Sequence, residues 1–322
     1  MSERSMRRAE SPAGAPRETC PPGLVPIDDL GSGFYGQAQG GLYPAGSNVR
    51  PPAHAAAGLA LACSVCPLDT AGAPDPEGRI GLLSIGMSNA SAEFRTFERL
   101  ARSDPDKNAR LVIVDGAQDA AGASRIASDD SSGGRYWDEV DRRLRAFGVA
   151  PTQVQVAWVK VAEGYPVSPF PDHALRLKGD LQQIVQTLRQ RFLNLRLAYC
   201  SSRIFGGYAS GPLNPEPFAY ESGFAVKWLI EDQINAVPDL NFNPARGPLR
   251  APWLAWGPYL WANGLVPRSD GLTYARSDLA VDGTHPGAGA CRRVAQKLHG
   301  FFTTDITARR WFVRPALPDL RR

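Results

Sequence analysis

The chain has 322 residues, of which 43% are hydrophobic and 21% charged, an ordinary balance for a globular protein that buries its own core. The net charge of +4 is carried mostly by Arg, and the basic residues are scattered without a stripe of interleaved aromatics, which argues against a nucleic-acid partner. No apolar stretch approaches the ~20 residues of a membrane span, and five cysteines, an odd number, do not form a disulfide framework.

Residues 1–24 carry Arg, Glu, Pro and Gly without the apolar core of a signal peptide. They are expected to be a flexible tail, with the cytoplasm as the default compartment. Residues 25–78 are expected to be an N-terminal extension packed on the core. Within it, the Gly-rich segment 31–52 lacks the Gly-Lys-Ser/Thr of a phosphate loop and follows no strand. A short helix is predicted at 53–66 and a Pro/Gly/Asp-rich connection at 67–78. Cys63 and Cys66 form a C-x-x-C pair, but no second pair or suitably spaced His accompanies it. A zinc site, or any other metal site, is therefore not expected there, and two small apolar residues on a helix is the commoner reading.

From Arg79 the pattern alternates between strand and helix. Buried apolar runs at 80–85, 111–114, 154–161 and 195–200 predict four strands. Helical spacing at 90–102, 136–147 and 173–193 separates them, with a Ser/Asp/Gly loop at 122–134. Residues 204–280 break the rhythm with Pro-rich turns, one helix at 223–235 and a Trp-rich stretch, and are expected to be an insertion. A closing helix is predicted at 286–302, then a C-terminal tail at 306–322. The fold class is α/β: a three-layer α/β/α sandwich around a central parallel sheet, spanning 79–305. In such sheets, sites form at the carboxyl ends of the strands.

The first strand runs into Gly86-Met87-Ser88-Asn89. Ser88 is thus expected at a strand-to-helix turn, with its hydroxyl presented and its amide aligned with a helix N-terminus. A serine alcohol needs a base. Of four histidines, His285 lies in Asp282-Gly283-Thr284-His285, on the loop entering the last helix. That loop falls on the same side of the sheet as Ser88. Asp282 can bond one ring nitrogen and leave the other to face the serine. Separately, each reads equally well as ordinary: an exposed loop histidine, a capping carboxylate. Their conjunction points to catalysis.

These two blocks resemble the SGNH (GDSL-like) hydrolase superfamily, especially its sialate O-acetylesterase-like branch. The stretches Ser201-Ser-Arg-Ile-Phe-Gly-Gly-Tyr208 and Tyr220-Glu-Ser-Gly223 look like a bacterial subgroup of it. The resemblance implies a flavodoxin-like fold and a serine esterase acting without cofactor on a small-molecule or carbohydrate ester. It also implies two further oxyanion donors beside the Ser88 amide: a glycine after the second strand and an asparagine after the third. Gly116 matches the first, although a plain turn glycine reads the same. The second has no match, since no Asn occurs between 151 and 180. Lys160 is the nearest polar substitute, as an oxyanion donor or as the partner of Glu163 or another acid. Asn89, Arg203 and Trp256 are candidate substrate-binding residues. For Arg203 a structural ion pair with Glu221 or Asp232 stands equally, and for the cluster of Trp253, Trp256, Tyr259 and Trp261 the core is the commoner place. The missing asparagine leaves two alternatives to hydrolysis: a carbohydrate-binding protein with impaired chemistry, or acyl transfer to another alcohol.

Overall fold

A computed structural model describes residues 23–314. Apart from Gly23 and Leu24, the tail expected at 1–24 lies outside the described residues, as do 315–322. Leu24 itself is buried.

The elements that position the site are, in chain order, helix α1 (Pro52–Cys63), strand β1 (Ile80–Gly86), α2 (Ser88–Arg102), β2 (Leu111–Asp115), α3 (Ala123–Ala127), α4 (Ser131–Ala146), β3 (Val154–Lys160), α5 (Asp172–Arg191), β4 (Leu197–Cys200), α6 (Phe218–Ile234), β5 (Trp253–Trp256), α7 (Ala288–Thr304) and α8 (Arg309–Phe312). The five strands form one parallel sheet in the order β2-β1-β3-β4-β5. Every residue of β1 and of β3 is buried, because helices cover both faces. On one face α2 packs against α7, with α8 against α7 and α1. On the other α5 packs against α6 and α3. The architecture is the three-layer α/β/α sandwich expected.

Each covering helix turns one apolar stripe inward. In α2 the buried residues include Ala90, Phe94, Phe97 and Ala101. In α7 they are Ala290, Cys291, Val294, Ala295, Leu298 and Phe302. The loop expected at 122–134 is shorter than predicted. It holds the short helix α3, and α4 starts at Ser131 because the Asp130 carboxylate caps the amides of Ser132 and Gly133.

Two expectations are corrected. Residues 204–280 are not simply an insertion: α6 and β5 continue the alternation, and β5 extends the sheet by pairing Leu197 with Trp253 and Cys200 with Trp256. The tail expected from residue 306 is core as far as α8, where Trp311 and Phe312 are buried against Phe302.

The extension 25–78 is tied down by hydrogen bonds from the buried aromatics. Trp253 Nε1 donates to the His54 carbonyl (3.0 Å) and Trp256 Nε1 to the Leu42 carbonyl (2.6 Å), while the Tyr259 hydroxyl accepts from the Ile27 amide (3.2 Å).

Because Trp311 is fully packed, Trp311→Ala is expected to cost about 3–5 kcal/mol, measured by urea unfolding. A loss below about 1 kcal/mol would contradict the packing of α8 into the core.

Candidate active site

The strand-to-helix turn after β1 is held from three sides. Gly86 pairs with Lys160 across the sheet, and a Cβ on Gly86 would strike the Lys160 carbonyl and the Ala90 methyl. Only glycine lets the two backbones approach so closely. The Gly86 amide donates to the Tyr136 hydroxyl (3.1 Å), and its carbonyl accepts from the Gln118 amide (3.0 Å). Asp115, at the end of β2, then accepts from the Ser84 hydroxyl (2.7 Å) on β1 and the Ser91 hydroxyl (2.5 Å) on α2. Strand end and helix start are thereby locked together, and Ser88 becomes the first residue of α2.

His285 arrives from the other end of the chain. Its loop is clamped by the segment after β4. The Asp282 carbonyl accepts from both the amide (3.0 Å) and the hydroxyl (3.1 Å) of Ser210. Gly283 has φ of +69° and lies so close to the Tyr208 carbonyl that any Cβ would collide with it. The Thr284 hydroxyl donates to the Leu213 carbonyl (3.1 Å).

The structure brings Ser88, His285 and Asp282 together. Ser88 Oγ is 2.9 Å from His285 Nε2, across 197 positions of sequence. His285 Nδ1 is 2.5 Å from Asp282 Oδ2, and Asp282 Oδ1 accepts from the amides of Thr284 and His285 at 3.0 Å each. With Nδ1–H donated to Asp282, Nε2 is left to accept from the Ser88 hydroxyl. Partial burial pushes the Asp282 carboxyl up, but the bonds from the His285 ring and the two amides outweigh it and hold the group at about 2. It is therefore ionised at neutral pH. The His285 and Asp282 side chains remain 37% and 45% exposed, so the three residues stand at an open surface.

The remaining candidates are placed differently. The Gly116 amide donates to the Ser84 carbonyl and hydroxyl, each at 3.1 Å. Its N–H is occupied, which removes it from the oxyanion role. Lys160 Nζ is buried and sits 2.6 Å from Glu93 Oε2, also buried. It is the partner of an acid, though not of Glu163, whose carboxylate accepts from the amide (2.8 Å) and hydroxyl (3.0 Å) of Ser124. Burial raises the Glu93 pKa and lowers that of Lys160, and the contact between them opposes both shifts.

Arg203 is not at a pocket rim. It is 1% exposed, donates from Nε to Asn214 Oδ1 (3.0 Å) and approaches the Thr284 carbonyl with Nη2 (3.4 Å). It pairs with neither Glu221 nor Asp232: the first accepts from the Tyr35 hydroxyl and the second from Lys178. Arg203 thus supports the histidine loop from below. Asn89 is 2% exposed and offers no surface to a ligand. Trp256 is core, on β5, three strand spacings or about 14 Å from β1. Trp253, Tyr259 and Trp261 are buried with it.

The clamp residues Tyr208, Ser210 and Leu213 were not among the sequence candidates. They act through backbone carbonyls, the Ser210 amide and one short hydroxyl, and carry no motif. Among the described residues, no three His, Cys, Asp or Glu side chains gather as a metal site, and no helix is long and apolar enough to cross a membrane.

No protein-family model matches the chain, and no curated protein matches it significantly. Several solved structures are similar. A carbohydrate esterase family 3 protein from Talaromyces cellulolyticus shares 11% identity, over 70% of this chain and 98% of that one, at a TM-score of 0.42. The catalytic domain of peptidoglycan O-acetyltransferase A from Streptococcus pneumoniae shares 12%, over 70% and 94%, at 0.36. The periplasmic domain of a lipopolysaccharide acetyltransferase from Salmonella ser. Paratyphi A shares 12%, over 69% and 83%, at 0.37.

The Lys160–Glu93 pair yields a direct test. Lys160→Met strands a buried carboxylate and is expected to cost about 3–5 kcal/mol in denaturant unfolding, whereas adding Glu93→Leu restores most of it. A single variant as stable as the parent would contradict the buried pair.

Proposed function

We propose that the protein is a serine-dependent carboxylic-ester hydrolase. The observation that carries this reading is the unbroken chain of contacts from Ser88 Oγ through His285 to Asp282. Ser88 and His285 also meet at the carboxyl end of β1, where chain order reverses in a sheet of this topology.

In this mechanism Ser88 Oγ attacks the acyl carbon and His285 Nε2 takes its proton. Asp282 fixes the ring through Nδ1 and stabilises the imidazolium. The tetrahedral oxyanion is met by the Ser88 amide, whose N–H, at the start of a fifteen-residue helix, has no partner within that helix. Collapse breaks the bond to the leaving alcohol, which departs with the proton from Nε2. Water then attacks the acyl-serine and gives its proton to Nε2. The carboxylic acid leaves, and Ser88 Oγ recovers its proton. The likeness of Gly86–Asn89 and Asp282–His285 to SGNH blocks favours an acetyl group on a sugar alcohol.

With p-nitrophenyl acetate as substrate, Ser88→Ala is expected to abolish the enzyme-dependent release of p-nitrophenol. Asp282→Asn is expected to lower kcat by about 10³–10⁴, because the ring loses the acceptor that sets its tautomer. Unchanged turnover in Ser88→Ala removes the serine from the mechanism.

A further inference from the structure

A groove lies between α2 and α7, beside the candidate active site. Its volume is about 580 Å³. At its upper end it is bounded by Pro286, next to His285, and by Ala92, one helical turn beyond Ser88. Lower down it is lined by Arg95 and Arg99 of α2 and by Arg292 of α7. The lining holds these three arginines and no acidic residue.

All three arginines are exposed. The acids nearest in sequence are engaged elsewhere: Glu93 with Lys160, Glu98 with Arg102, Asp104 with His299 and Asp282 with His285. Three guanidinium groups along one open groove repel each other, and the fold supplies no counter-charge within it. That arrangement suits an anionic ligand, since each planar fork matches a carboxylate, sulfate or phosphate.

The spacing says where the charges must lie. At 1.5 Å of rise per residue, Arg95 is about 10 Å and Arg99 about 16 Å along α2 from Ser88. These are backbone spacings, and even with the side chain reaching back toward the helix N-terminus, Arg99 lies beyond the unit that carries the ester. Two arginines at successive depths ask for a repeated charge. The other lining residues include Thr96, Gly287 and Ala288. None is aromatic, so the groove offers bases nothing to stack on, and a nucleic acid fits it poorly. Pro286 follows His285 directly, so one end of the groove lies beside the histidine loop.

We propose that this groove is a subsite for an acidic oligosaccharide, whose anionic units bind Arg95, Arg292 and Arg99 while an O-acyl group on a preceding unit reaches Ser88. This inference rests on the esterase reading for its chemistry, but its binding component can be tested without it.

The probes are acetylated oligogalacturonides and the same oligomers with their carboxyl groups methyl-esterified. The wild-type protein is expected to release acetate from the acidic form with a kcat/KM at least about tenfold higher, carried by KM. That advantage should shrink at about 0.5 M NaCl, where the Debye length is only a few ångströms. In Arg95→Gln/Arg99→Gln/Arg292→Gln the ratio of the two substrates should fall to near one. Equal turnover of both forms by the wild type, or an undiminished ratio in the triple variant, overturns the subsite. Sulfated and phosphorylated oligomers as competitors distinguish which anion is preferred.

The binding arm uses Ser88→Ala, titrated calorimetrically with the acidic oligomer. Saturable binding that the triple arginine substitution removes supports the groove, and absence of binding overturns it. If instead the wild type is inert on p-nitrophenyl acetate while this binding persists, the esterase reading falls and the groove stands.

Discussion

The site depends on one placement: the loop 282–285 must sit over the carboxyl end of β1. Ser88 and His285 are 197 positions apart, and nothing local joins them. Their approach requires β1 to be central, flanked by β2 and β3, and α2 to lie beside α7. It then requires the loop to be held at a fixed height. Gly283 provides the close backbone contact with Tyr208, Ser210 grips the Asp282 carbonyl, and Arg203 reaches the Thr284 carbonyl from beneath. Misplacing a catalytic group by about 1 Å costs on the order of 10² in rate, so the proposed chemistry requires this clamp as well as the three side chains.

Beneath the site lies a buried charge cluster. Lys160 and Glu93 are in contact, and the Arg203 charge acts on both. Such a cluster is weak evidence for stability, because desolvation offsets most of the attraction. Its position explains the oxyanion arrangement. The end of β3 carries a lysine bound inward to α2, where the resemblance drawn from the sequence implies an asparagine. The Gly116 amide is likewise bonded to Ser84. In the proposed mechanism the oxyanion donor is therefore the Ser88 amide, at the start of α2. Loss of each such donor costs about 10²–10³ in rate, so the proposed esterase would be slow unless the substrate supplies binding energy elsewhere. An anionic chain held along α2 and α7 would supply it.

Much of this was legible in the sequence. Four buried strands, the turn at Ser88 and the loop at His285 followed from apolar runs and their order. The fifth strand was not: Trp253-Leu-Ala-Trp256 is four residues long between Pro-rich turns, and reads as an aromatic cluster until its register with β4 is known. Lys160 was ambiguous for a related reason. In a strand buried on both faces, alternation carries no signal for inside and outside. Arg203 follows a strand, as a rim residue should, but Asn214 and the histidine loop fold over it. Trp256 was misplaced because strand order is not written in the local sequence. The Arg groove is not legible in the sequence because Arg95 and Arg99 belong to one helix and Arg292 to another, and only packing unites them.

The central claim is that Ser88 is a nucleophile activated by His285. Mass-spectrometric mapping of the folded protein after reaction with a fluorophosphonate tests it most directly. The account predicts a single stoichiometric adduct on Ser88, formed at least about 10²-fold more slowly in His285→Ala. An unlabelled protein, or an adduct on another serine with Ser88 unmodified, would contradict it.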